Sequence, residues 1–275
     1  MNDCKVIAIT NQKGGVGKTT TTINLGVGLA QQEKRVLVID MDPQASLTVC
    51  LGNPDPDSLP FTVSNVMKNI MVNGELTEEI PVLQTPESID LMPASIDLCG
   101  IEVALVNEMS REKILKAYVD SVRSRYDYVL IDCMPSLGML TLNALCAADS
   151  VLIPTQPEFL SAKGLEQLIG TISRVKKRMN PNLKIDGILF TMQDSRMVFT
   201  REVTDAIRQQ YGIHTHIMDT FIPRSVRAAE TSAKGKSIFL HDPHGKVALS
   251  YENLAKEVLT LGEAQRHQNR SEAVR

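Results

Sequence analysis

The stretch "VIAITNQKGGVGKTTTTINLG", residues 6–26, constrains this chain more than any other. A short apolar run rich in β-branched residues enters a glycine-rich loop, which passes directly into a helical pattern. The loop ends in Gly17-Lys18-Thr19, the tail of the phosphate-binding pattern G-x-x-x-x-G-K-[ST]. Its first glycine is missing: Gln12 stands there and a second lysine, Lys13, follows. Glycines let backbone N–H groups turn inward to phosphate oxygens, and a helix N-terminus adds a favourable dipole. The loop from Gly14 through Gly15, Val16, Gly17, Lys18 and Thr19 to Thr20 is therefore the candidate phosphate cradle. Within it Lys18 is placed to reach the β- and γ-phosphates, and Thr19 to bind Mg²⁺.

The rest of the chain repeats the same alternation. Apolar runs at 6–10, 35–40, 126–132, 150–155, 185–190 and 217–223 read as buried strands. Helical patterns fall at 18–31, 97–107, 110–124, 138–147, 159–179, 198–210, 224–233 and 245–263. The expected fold is α/β, a doubly wound, mostly parallel sheet with helices on both faces. Proline-rich residues 52–95 read as a loop, a short helix and a small strand pair. One domain is expected over 1–263, with a frayed polar tail over 264–275.

Two strand ends carry acids. "YDYVLIDC" ends in Asp132, where a Walker B carboxylate would hold Mg²⁺. "VLVIDMDPQ" carries Asp40 and Asp42, two carboxylates that face the same way on extended chain and repel. One would lie near the metal and the other position an attacking water.

Composition removes several classes. Aromatics are 4% with no tryptophan, which argues against base-stacking platforms. Five scattered cysteines (4, 50, 99, 133 and 146) fit reduced thiols in a cytoplasmic protein. No secretion signal opens the chain, and no apolar run approaches the roughly 18 residues of a membrane span. Net charge is −3, yet Arg174–Lys236 holds 12 Lys and Arg against 6 Asp and Glu.

The segments "KGGVGKTTTTINLG", "VIDMDPQAS", "IDCMPSLGMLTLNAL" and "IPRSVRAAETSAKGKSIFLHDP" together resemble the ParA/Soj family of DNA-partitioning ATPases, small form. The likeness runs from Lys5 to about Glu263. It implies the deviant Walker A type of P-loop NTPase, with ATP and Mg²⁺. It implies that Lys13 reaches across a homodimer to the partner's phosphates, much as an arginine finger does. Gly14 is then small because another backbone approaches there. By the same likeness Asp42 positions the hydrolytic water, while Asp40 is near the metal or structural. Adenine would be held by loops at Thr191, Met192 and Pro223. Two positions depart from the family pattern: Met134 replaces a proline after Walker B, and Ser46 stands where Asn is frequent.

The resemblance also implies non-specific binding to double-stranded DNA, through Arg196, Arg224 and Arg227, and a ParB-type partner. It would place the protein on the nucleoid. With the phosphate loop starting near residue 12, there is no room ahead of it for the helix-turn-helix extension of larger plasmid ParA proteins. A MinD-like membrane-positioning ATPase shares the nucleotide site but ends in an amphipathic helix. The tail here has no bulky apolar residue except Val274. An iron–sulfur ATPase would need paired cysteines at a dimer axis. Cys99 and Cys133 lack the glycine-rich flanks of that class.

Overall fold

The computed structural model describes residues 4–77, 81–158, 161–194, 198–213 and 215–273; at 161–162, 198–199 and 265–273 only the backbone is described. Its strands are β1 (Lys5–Ile9), β2 (Val36–Met41), β3 (Leu83–Gln84), β4 (Asp90–Met92), β5 (Tyr128–Cys133), β6 (Ser150–Thr155) and β7 (Lys184–Phe190). They form one sheet in the order β3-β4-β2-β5-β1-β6-β7, parallel throughout except where β3 meets β4. Helices are α1 (Lys18–Ala30), α2 (Ser46–Cys50), α3 (Val63–Asn73), α4 (Leu98–Leu105), α5 (Ile114–Val122) and α6 (Met139–Ala147). Beyond them come α7 (Ser161–Arg178), α8 (Val198–Tyr211), α9 (Val226–Lys234), α10 (Ile238–His241) and α11 (Lys246–Ala273).

Both faces of the sheet are covered, so the strands are apolar on both sides. Leu37, Ile39, Val129 and Ile131 pack toward α3 to α7, meeting Val66, Leu98, Tyr118, Leu140 and Leu165. Their sequence neighbours Val38 and Leu130 point the other way, with Ile7 and Ile9, toward Ile23, Ile238, Tyr251 and Leu254 of α1, α10 and α11. Period-2 alternation thus feeds two cores at once. Helix α1 is buried almost all round, between the sheet and α11. A Cβ on Gly28 would lie 3.1 Å from Ala255 Cβ and 3.4 Å from the Tyr251 carbonyl, so α1 and α11 meet at backbone distance.

The small strand pair in 52–95 is β3 and β4, and the helix there is α3, opened by a Thr62–Asn65 capping box and closed by left-handed Gly74. One expectation is corrected. Residues 217–223 make only isolated bridges, Ile188 with Ile217 and Gln193 with Pro223, because the chain follows β7 without a continuous ladder. In the expected tail the backbone of α11 continues to Ala273, through a stretch with no glycine or proline to stop it.

Register sets up the site. Ile9 pairs with Asp132, and Asp132 with Asp40, so β1, β5 and β2 end level. Three loops leave this one carboxyl edge, where open α/β sheets carry their ligand crevice.

Candidate functional site

The loop between β1 and α1 is tied down by side chains from elsewhere in the chain. Asn11 donates to the Pro154 carbonyl (2.8 Å) and to Thr155 Oγ1 (3.2 Å). Thr191 Oγ1 donates to the Val16 carbonyl (2.8 Å), and Gln156 Nε2 to that of Gly15 (3.0 Å). Gln12 Nε2 donates to the Gly164 carbonyl (2.8 Å) and to Gln167 Oε1 (2.9 Å) on α7. Gly15 and Gly17 have φ of 72° and 85°, a left-handed backbone that glycine adopts freely. Gly17 is also the residue that caps α1.

The two lysines of the loop face different ways. Lys18 is 7% exposed and turned inward, its Nζ 3.2 Å from the Lys13 carbonyl. Burial lowers its pKa, and Asp132 pulls it back up. Lys13 Nζ pairs with Glu158 Oε2, in the segment after β6.

Beneath the loop lies a buried carboxylate pair. Asp132 accepts from Thr19 Oγ1 at 2.7 Å and from Thr22 Oγ1 at 3.3 Å. Burial, and then the neighbouring Asp40, hold it well above the usual carboxylate range. Such a carboxylate, with a hydroxyl ligand beside it and Lys18 near, suits a hard divalent cation. Among the described residues no group of three or more His, Cys, Asp and Glu could cage a metal. A Mg²⁺ there would take its other ligands from phosphate and water.

Asp40 is corrected. Its Oδ2 accepts from Thr48 N (2.9 Å) and Thr48 Oγ1 (2.8 Å), and its Oδ1 from Asp42 N (3.1 Å). Both oxygens are spent on structure, and the side chain does not line the cavity. Asp42, two residues on, does line it.

That cavity measures about 540 Å³, within the usual range for small-ligand sites. Gly14, Gly15, Gly17, Lys18, Thr19, Thr20, Asp42, Thr191, Met192, Pro223 and Arg224 all line it, so most of the expected phosphate and base contacts converge. Val16 is buried behind, and Lys13 lies outside. Ser46 lines the cavity beside Asp42, whereas Met134 is partly buried against the core. Sequence reasoning missed the far wall: Ser225, Ala228, Ala229 and Ser232 of the α9 region, and Tyr251 of α11. No spacing rule links those positions to residue 18; only the α1–α11 packing brings Tyr251 there.

Of the basic residues, Arg227 is exposed in the first turn of α9, with Glu230 Oε2 at 3.5 Å. Arg224 is exposed as well, its N–H bonded to the Gln193 carbonyl (3.3 Å). Arg196 lies outside the described residues. Cys133 is buried and Cys99 exposed, so they do not form a pair.

A family model described as AAA domain matches residues 4–185. The chain is 45% identical over 258 residues to the sporulation initiation inhibitor protein Soj of Bacillus subtilis, covering 94% of this chain and 99% of that one. It is 44% identical over 257 residues to the chromosome partitioning protein ParA of Myxococcus xanthus, covering 93% and 88%. Among solved structures, a cobyrinic acid a,c-diamide synthase from Mycobacterium smegmatis, with bound ADP and magnesium, superposes with a TM-score of 0.79. That match is at 37% identity and covers 93% of this chain and 94% of that one.

Proposed function

This chain belongs to the Soj and ParA family of P-loop NTPases, and we propose that it is a Mg²⁺-dependent ATPase that dimerises on ATP. In this reading the dimer binds DNA without sequence preference and moves a DNA cargo together with a ParB-type partner. The protein would work on the nucleoid.

The observation that carries the reading is the opposed pair of lysines. Lys18 serves its own cavity, while Lys13 projects outside it and is left to serve a second molecule. Gly14 supports this. A Cβ placed there meets no atom within 4 Å, so nothing inside the protomer requires a glycine.

Each residue then has a task. The loop N–H groups and Lys18 bind and orient the β- and γ-phosphates. Thr19 and Asp132 would hold Mg²⁺, which when bound supplies charge neutralisation on the phosphates. Asp42, at the cavity wall, orients the attacking water. Lys13 neutralises charge on the phosphoryl group of the partner's nucleotide. Thr191, Met192 and Pro223 flank the base.

The likeness to the Mycobacterium smegmatis cobyrinic acid a,c-diamide synthase supports a second reading, a metabolite ligase. It would show turnover of a carboxylic acid substrate without DNA.

The test is nucleotide binding and hydrolysis in two variants. Lys18→Ala loses ATP binding. Asp42→Ala binds ATP but scarcely hydrolyses it, and stays dimeric. Near-normal binding and turnover in Lys18→Ala would refute the site.

A further inference from the structure

Lys13 is held from several sides within its own protomer. Its ammonium pairs with Glu158 Oε2, its N–H donates to Asn11 Oδ1 (3.0 Å), and its carbonyl accepts from Lys18 Nζ (3.2 Å). Asn11 is fixed in turn to Pro154 and Thr155. Glu158 belongs to the segment that follows β6, as does Gln156, which holds Gly15. The ion pair is partly open to water, with the lysine side chain 36% and the glutamate side chain 56% exposed. It is therefore weak and exchangeable.

We infer that Glu158 is a positioning residue for Lys13, its counter-ion within the protomer, which the partner's triphosphate must displace when two protomers meet. This rests on the reading that Lys13 acts in trans. The chemistry is a straight exchange of anions around one ammonium. A polyphosphate carries more charge than one carboxylate and outcompetes an exposed pair, whereas the diphosphate product offers less. The carboxylate thereby sets how much anionic charge the partner must present before Lys13 leaves. The phosphates also draw on Lys18, which lets go of the Lys13 carbonyl and loosens the same residue.

Sedimentation of the full chain across a series of a non-hydrolysed ATP analogue tests this. Glu158→Gln should dimerise at an analogue concentration about two- to fivefold lower than the unaltered chain, the range of an exposed ion pair. Glu158→Asp should restore the normal midpoint in large part. The difference should vanish near 0.5 M salt, where the screening length is on the order of 4 Å. It should also vanish in a Lys13→Ala background. An unshifted or weakened dimer in Glu158→Gln overturns the inference, as does an equal shift with and without Lys13. Two failures are separable. If Lys13→Ala alone dimerises and hydrolyses normally, the trans reading falls and this one with it. If Lys13→Ala impairs hydrolysis while Glu158→Gln matches the unaltered chain, only the role of Glu158 falls.

Discussion

Asp40 and Asp42 share a strand end and a direction, and their surroundings give them opposite work. Asp40 is fully buried and satisfied by Thr48 and by the Asp42 N–H, so it fixes the loop that presents Asp42. Thr48 Oγ1 also accepts from Ala94 N, so one hydroxyl ties β2 to the chain after β4. Thr48→Val keeps the shape, removes that hydroxyl and leaves buried partners unmatched. It should cost about 1–3 kcal/mol in urea unfolding, with nucleotide affinity little changed. Gly14→Val should show the reverse pattern: normal stability and normal nucleotide binding, but no ATP-dependent dimer by sedimentation, because only a second protomer meets the added side chain. The cysteines give a third residue-level test. Burial pushes the Cys4 and Cys146 thiols up to about 11 and Cys133 higher still, and Cys50 is raised too, whereas Cys99 is exposed. At pH 8 the raised thiols hold little thiolate, the reactive form, and raising the pH increases it only as their pKa is approached. A thiol reagent should therefore modify one of the five quickly in the folded protein, and all five in denaturant.

At the scale of elements, the contact between α1 and α11 decides how firmly the phosphate loop is seated. Gly28→Leu would drive a branched side chain into Ala255 and the Tyr251 carbonyl, at distances already near van der Waals contact. It should destabilise the protein by about 1–3 kcal/mol, read as a lowered urea midpoint, and weaken nucleotide binding, because Tyr251 lines the cavity. Nothing local in the sequence announces this contact. The central strands were legible because a strand buried on both faces must be largely apolar, and β1, β2, β5, β6 and β7 each carry an apolar run, with their polar residues mostly toward the strand ends. Capping chemistry sets the ends of α9, which the sequence reading did not use: Ser225 accepts from Ala228 N, and Gly235 closes the helix in the left-handed region. Residues 217–223 misled because an apolar run beside an edge strand looks the same whether it forms a ladder or only touches at Ile217 and Pro223. The phosphate loop was readable because its chemistry is contiguous. The far wall, from Ser225 to Ser232 and at Tyr251, was not, because it is assembled by folding across more than 200 residues.

Over the whole molecule, charge is uneven, and the proposed DNA binding draws on that. The positive excess sits between Arg174 and Lys236, which includes β7, α8 and α9. The Gln193–Pro223 bridge sets the end of the β7 loop beside the chain that leads into α9. Arg196 follows the first of these by three residues in sequence, and Arg227 follows the second by four. Arg224 lines the nucleotide cavity, so its replacement would disturb ATP and DNA together. Arg196 and Arg227 are the cleaner pair to change. In the proposed dimer two such basic edges act as one surface, and a monomer offers half the phosphate contacts, so ATP should gate DNA affinity. Each phosphate neutralised adds about −0.9 to the slope of log K against log salt. Replacing both arginines by alanine should make the dimer's slope shallower by up to about 3.6, two contacts from each protomer. Binding near physiological salt should be lost equally for any duplex sequence, while ATP-dependent dimerisation persists. Filter binding of the ATP-analogue form to unrelated duplexes across a salt series measures this. Undiminished binding by the double variant, or a loss confined to one DNA sequence, would place the DNA surface elsewhere on the molecule.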